Sequence, residues 1–360
     1  MKIKSIRYSG SKDKILPKIT NILDNIDYAT TLDGFSGSTR VSSLFKSLGK
    51  TSHSNDLAIY SKVIAETYLL GRDNKQELYD KIQYLNSLKP IDGWFTETYG
   101  GEWNDGTSVQ SDGLKRPFYI DVTRKLDAIR DEIDKMYPND CVDKSILLTS
   151  LLIALDSRCN DLGHQVAYLK DWASRTQKPL MLELPTWTPD ELKHKVTCND
   201  VFDLNGKYDL VYFDPPYGTA NQKTKTTRVR YFSYYHLWTT IVKNDKPKVF
   251  GAAKRREEFS SDTIDGAISD FEHLKDNVVI DSFRRLLTEF DTKYTLISYS
   301  NRSKIPIDNL IDLVSDNQQL VDVHSFKHKE NSQANSVINS EYKVRYDEEN
   351  LEYLILSKTK

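Results

Sequence analysis

The sequence predicts an α/β fold, with a mainly parallel β-sheet covered by helices on both faces. Two observations carry this reading. Short apolar runs, each long enough for one buried strand, alternate with stretches of helical periodicity, as strand–helix–strand units require. Four of the runs lead directly into an acidic residue, and in such sheets ligands collect at the carboxyl ends of strands.

The first run, Tyr28 to Leu32, leads into Asp33-Gly34, and the second, Lys50 to Ser54, into Asn55-Asp56. His194 to Cys198 leads into Asn199-Asp200, and Asp209 to Phe213 into Asp214. Lys248 to Ala252 and Tyr294 to Tyr299 read as two more strands, with helical patterns at Ser38–Leu48 and Ala58–Leu70. Near the end of the chain, Leu320 to Phe326 and Leu351 to Leu356 flank a polar stretch and predict an antiparallel hairpin on the sheet edge.

Residues 89–189 break the alternation. A loop rich in Gly, Trp, Thr and Asn, Ile91 to Lys115, precedes helical spacing through Ile120, Leu126, Ile129 and Ile133, then through Ile146, Leu147, Leu151 and Ala154. This predicts a mostly helical inserted subdomain, with residues 1–88 and 190–360 forming the surrounding domain.

The formal net charge is −2, so a nucleic-acid partner needs a local basic face. Met1 to Lys18 holds six basic residues against the single acid Asp13. Lys223, Lys225, Arg228 and Arg230 follow one another with no acid between them. Cys141, Cys159 and Cys198 are scattered, without metal-ligand spacing, so no metal is expected and the thiols suit a reducing cytoplasm. No apolar run approaches the roughly 20 residues of a membrane helix, and the N-terminus lacks a signal-peptide pattern.

The most specific motif is Asp214-Pro215-Pro216-Tyr217, at the end of the apolar strand 209–213. Two prolines fix φ and remove backbone donors, leaving a rigid turn that offers a carboxylate and carbonyls. Such a turn accepts both hydrogens of a substrate amino group, and the aromatic ring stacks on the base that bears it.

With this turn in place the chain resembles the DNA adenine-N6 methyltransferases of restriction–modification systems, in the Dam-like arrangement, and within them the enzymes related to the FokI modification methyltransferase. The resemblance spans nearly the whole chain, with the motifs in the family's order. It implies a Rossmann-like methyltransferase fold, S-adenosylmethionine as cofactor, duplex DNA as substrate, a companion restriction endonuclease and a monomeric enzyme in a prokaryotic or phage-infected cytoplasm.

The resemblance also implies site roles. Arg7-Tyr8-Ser9-Gly10-Ser11-Lys12 matches the element that holds the methionine end of the cofactor, with Lys12 on its carboxylate. Asp33, Phe35, Gly37, Ser38 and Thr39 belong to the glycine loop, which departs from the family in having Ser38 where a further glycine is common; Asp33 would face the methionine amino group. Asp56, beside Leu57, matches the ribose-binding acid, and Asp200, Val201 and Phe202 match the adenine-reading segment. Asp214, Pro215, Pro216 and Tyr217 would be catalytic on a flipped-out adenine, with Lys223, Lys225, Arg228 and Arg230 on phosphates. The aromatic run Tyr231 to Trp238 is expected beside the active site, with His236 in a structural role. Base reading falls to the insert.

Alternatives remain open on the residues alone. The same turn serves cytosine N4, RNA adenine or a glutamine side chain. A non-catalytic DNA-binding protein on a decayed fold is another reading, against which Lys12, Asp56, Asp214 and Tyr217 all stand intact. The glycine loop lacks the G-x-G-x-x-G pattern of nicotinamide enzymes.

Overall fold

The computed structural model describes residues 3–216, 231–259, 269–273, 275–327 and 349–360. Seven strands form its main sheet: β1 Thr30–Asp33, β2 Thr51–Asn55, β3 Lys195–Thr197, β4 Lys207–Phe213, β5 Asp291–Ser300, β6 Gln319–Lys327 and β7 Leu351–Lys358. Their order is β6-β7-β5-β4-β1-β2-β3. The strands from β3 to β5 pair in parallel, and β7 pairs antiparallel with both β5 and β6. The expected hairpin therefore forms, and its second strand fills the gap between the first and the parallel sheet.

Strand β4 explains why the chain folds around this layer. Leu210, Val211, Tyr212 and Phe213 are all buried, as a central parallel strand covered on both faces demands. Side chains alternate across the sheet. Val211 and Phe213 join Phe283 and Leu286 of the helix Asp276–Thr288 and Leu310 and Val314 of the helix Ile307–Asn317. Leu210 and Tyr212 join Ile15 and Ile19, at helix α1 (Leu16–Leu23), and Phe45 of helix α2 (Arg40–Ser47).

Segment 89–189 is less helical than expected: the helices Trp94–Tyr99, Ile120–Met136 and Val142–Asp156 cover fewer than half of its residues, and most of the rest is loop. Its apolar side chains do not form a core of their own. Leu126, Ile129, Ile146 and Leu151 pack in one cluster with Tyr60, Val63 and Ile64 of the helix Ile59–Leu70 and with Leu237 and Trp238 of the helix His236–Lys243. Buried Arg130 ties the segments further, donating from Nε to the Ile241 carbonyl at 2.7 Å and from Nη2 to the Val242 carbonyl at 2.8 Å.

One predicted strand departs from expectation. Within Lys248 to Ala252 only Val249–Phe250 is extended, and it pairs antiparallel with Arg255–Arg256 in a separate ribbon, outside the main sheet. The cause is local: Gly251 takes φ +70° and Lys254 +50°, so the backbone turns straight back before a sheet strand can form. Among the described residues no helix is long and apolar enough to cross a membrane.

Candidate active site

Because β1 to β4 run parallel, the residues at their carboxyl ends gather on one edge of the sheet. Asp33, Asp56, Asp200 and Asp214 all lie there. Strand β1 has β2 on one side and β4 on the other, so the chain order reverses beside it. This is the switch point at which open α/β sheets bind ligands.

Asn55 locks the strand ends together. Its Nδ2 donates to the carbonyls of Gly34 (3.3 Å) and Asn199 (3.1 Å), while its Oδ1 accepts from Thr197 Oγ1 (2.7 Å) and the Asn199 amide (3.2 Å). Gly34 is held so tightly that a Cβ there would lie 2.8 Å from the Phe213 ring and 3.2 Å from Val201.

Two adjoining clefts open at this edge. The larger has about 860 Å³ of empty space when its solvent-open mouth is included. It brings together Tyr8, Gly10, Lys12, Phe35, Asp56, Leu57, Asp200, Val201, Phe202, Asp214, Pro215 and Pro216. The smaller, about 280 Å³, shares Tyr8, Gly10, Lys12, Phe35 and Asp214 with it and adds Asp33, Gly37 and Ser38. Two residues of the sequence-derived set line neither cleft. Thr39 is buried in the left-handed region at the start of α2. The Arg7 side chain pairs with Asp156 Oδ2 (3.1 Å) and Asp161 Oδ1 (2.7 Å), clamping the N-terminal segment to the end of the helix Val142–Asp156. Tyr217, Lys223, Lys225, Arg228 and Arg230 lie outside the described residues.

Each acid has a distinct setting. Asp33 Oδ2 accepts from the Ser42 amide (3.0 Å) and hydroxyl (2.6 Å) in the first turn of α2, where a carboxylate satisfies orphan helix donors. Its Oδ1 is buried with no hydrogen-bond partner among the described residues, and burial raises its pKa to about 7. Asp56 accepts from the Gly37 amide (2.7 Å) and the Ala58 amide (2.8 Å), one on each oxygen, and burial raises its pKa to about 6. Asp200 Oδ1 accepts from the Phe202 amide at 2.9 Å. This aims the Phe202 ring at the cleft, between Phe271, stacked at 6.1 Å, and the Arg285 guanidinium at 3.7 Å.

The aromatic run beginning at Tyr231 packs on the N-terminal loop. Tyr8 stacks on Tyr235 at 4.6 Å, the Ser9 amide donates to Tyr235 Oη (2.6 Å), and Tyr231 Oη donates to the Ser9 carbonyl (3.2 Å). Tyr231 and Phe232 line the larger cleft. His236 is fully buried with its Nε2 3.0 Å from the Gln165 carbonyl, and burial lowers its pKa to about 3. A proton-transfer role does not suit that setting.

Lys12 lines both clefts and is at the same time held by two carboxylates. Its Nζ lies 2.9 Å from Asp214 Oδ1 and 2.9 Å from Glu352 Oε1, and all three side chains are largely buried. Burial alone would lower the lysine pKa, but Asp214 and then Glu352 more than offset this and hold it above its ordinary value. The ammonium is thus engaged by protein carboxylates, one of them in the Asp214-Pro215-Pro216 turn. Sequence reasoning missed Glu352, and it missed Phe271 and Glu272 in the cleft wall. For Glu352 a signal existed, since it shares the inward strand face with Leu354 and Leu356. A lone acid on an apolar face asks for a partner.

The acid-tipped parallel strands, the switch-point clefts and the Asp-Pro-Pro turn together define a methyltransferase-type α/β fold. The chain belongs to the D12 class N6 adenine-specific DNA methyltransferase family, whose sequence profile matches residues 8–294. It is 30% identical to modification methylase LlaI of Lactococcus lactis subsp. lactis, over 96% of this chain and 56% of that protein. It is 26% identical to modification methylase StsI of Streptococcus sanguinis, over 86% of this chain and 46% of that protein. To the type II methyltransferase M.NlaIII of Neisseria lactamica it is 25% identical, over 84% of this chain and 85% of that protein. The chain thus spans about half the length of LlaI and StsI.

Proposed function

We propose that this protein transfers the methyl group of S-adenosylmethionine to N6 of a flipped-out adenine in duplex DNA, as the modification part of a restriction–modification system. The observation that carries the reading is the Asp214-Pro215-Pro216 turn, which lines the larger cleft and reaches the smaller one through Asp214.

The residues fit that cofactor. Asp33 Oδ1 and Ser36 Oγ, at the smaller cleft, are buried without hydrogen-bond partners among the described residues, a donor-and-acceptor pair suited to an amino-acid end group. Asp56 has used one lone pair on each oxygen and retains acceptor capacity for two vicinal hydroxyls. Phe202 and Val201 offer an apolar wall for a purine, with Asp200 at its edge. When bound, the cofactor supplies an electrophilic sulfonium methyl.

Asp214 and the Pro215 carbonyl accept the two hydrogens of the adenine amino group. This withdraws the nitrogen lone pair from the ring and orients it, so catalysis is positioning and electrostatics without a covalent enzyme intermediate. Lys12 fixes the Asp214 carboxylate in place. Tyr217 stacks on the extruded base, and Lys223, Lys225, Arg228 and Arg230 contact phosphates. Segment 89–189 serves target recognition, packed on the catalytic core so that base reading and base extrusion share one rigid frame. The enzyme acts as a monomer, alongside a companion endonuclease.

Asp214→Ala tests the assignment. Methyl transfer is expected to be abolished, with S-adenosylmethionine affinity retained within about threefold, since neutral substitution leaves most cofactor contacts intact. A variant that still methylates DNA would remove Asp214 from the catalytic role.

A further inference from the structure

We infer that Glu352, on the last strand of the sheet, is a positioning residue for the catalytic turn, acting through Lys12. This rests on the reading of Asp214 given above. It concerns a residue outside the segment matched by the family profile, which ends at 294.

The geometry is a buried chain of charges. Glu352 Oε1 accepts from Lys12 Nζ at 2.9 Å and from Ser298 Oγ at 2.8 Å. The same Nζ lies 2.9 Å from Asp214 Oδ1. Side-chain exposure is 7% at Lys12 and 6% at Glu352. Ser298 stands on β5, Glu352 on β7 and Asp214 directly after β4, so three consecutive strands of the sheet fix the ammonium.

Stability does not account for the arrangement. Apolar replacements of such buried pairs are often neutral or better, so filling this site does not require charges. Leu354 and Leu356 on the same face show that this strand readily buries apolar groups there. What the acid adds is charge. With one ammonium shared by two carboxylates, the triad keeps a net negative charge, and the Asp214 side chain remains a strong acceptor for amino hydrogens. If Glu352 were neutral, more of the Lys12 charge would fall on Asp214 and draw off that acceptor strength.

The test compares two substitutions under single-turnover conditions, with S-adenosylmethionine and DNA lacking adenine methylation, alongside calorimetric titration of the cofactor and a thermal melt. Glu352→Gln keeps the shape and loses the charge; Glu352→Asp keeps the charge and loses a methylene. The expected result is a fall of about 10- to 100-fold in the transfer rate for the Gln variant, from the strength of hydrogen bonds to charged groups, with cofactor affinity within about threefold. The Asp variant should be faster than the Gln variant by about fivefold or more. A pure packing role predicts the reverse order, because Gln is the better isostere. A Gln variant as fast as the natural protein, an Asp variant as slow as Gln, or loss of folding in the Gln variant each overturns the inference. Failure of the unsubstituted protein to methylate adenine overturns the underlying reading as well, which separates the two failures.

Discussion

Replacing Lys12 by methionine removes the one cation that the Asp214 and Glu352 carboxylates share at 2.9 Å each. Methionine has nearly the same length, so packing is largely kept and the loss is electrostatic. Taking one partner from a buried ion pair costs about 3–5 kcal/mol, because the remaining charge stays buried without its counter-charge. Asp214 is 16% exposed and Glu352 6%, so solvent relieves the first more than the second and the lower half of that range is expected. The pH sign follows from the raised folded-state pKa of Lys12. Its contribution is fully present below the unfolded value of 10.5 and is lost only as the pH rises through the higher folded value. Urea denaturation of the Lys12→Met variant at pH 7 and at pH 9 should therefore show the same deficit. Adding Glu352→Gln removes the stranded charge and should recover about 1–3 kcal/mol, a coupling that a double-mutant cycle isolates. A single-variant deficit below about 1 kcal/mol, or no recovery in the double variant, would refute the reasoning.

Two other predictions concern the cofactor end of the site. Burial raises Asp33 to about pKa 7, so its favourable protonated form stabilises the fold fully below pH 3.8 and that contribution is lost as the pH rises to about 7. A cationic amino group in the cleft favours the carboxylate, so S-adenosylmethionine affinity should increase from pH 6 to pH 8, and Asp33→Asn should weaken binding and flatten that profile in titration calorimetry; an unchanged profile contradicts the placement. Gly34→Ala puts a Cβ 2.8 Å from Phe213 and 3.2 Å from Val201, an overpacking that should cost about 1–3 kcal/mol, read as a lower melting temperature together with weaker cofactor binding.

Much of this architecture was legible in the sequence, for identifiable reasons. Period-two and fully apolar runs mark strands regardless of their neighbours, and an acid after each of four parallel strands must fall on one edge of the sheet. The register of β4 beside β1 then brings Asp33 and Asp214 to the same switch point. What escaped depended on tertiary partners. That Lys12 is also paired with Glu352 could not be read locally, because Glu352 comes from the opposite end of the chain. Arg7 sits in the same motif, but the acids at the end of the helix Val142–Asp156 capture it. The run Lys248 to Ala252 has strand composition, and only the turn geometry at Gly251 and Lys254 shows why it leaves the sheet. Phe271 and Glu272 carry no local pattern that marks them as cleft residues.

The most direct test of the central claim is the identity of the methylated nucleoside. The protein is incubated with isotope-labelled S-adenosylmethionine and duplex DNA from a host lacking adenine methylation, and the digested nucleosides are resolved by mass spectrometry. The account predicts label in N6-methyladenine alone, and none when Asp214 is replaced by alanine. Label in N4-methylcytosine, or transfer to RNA and not to duplex DNA, would contradict it.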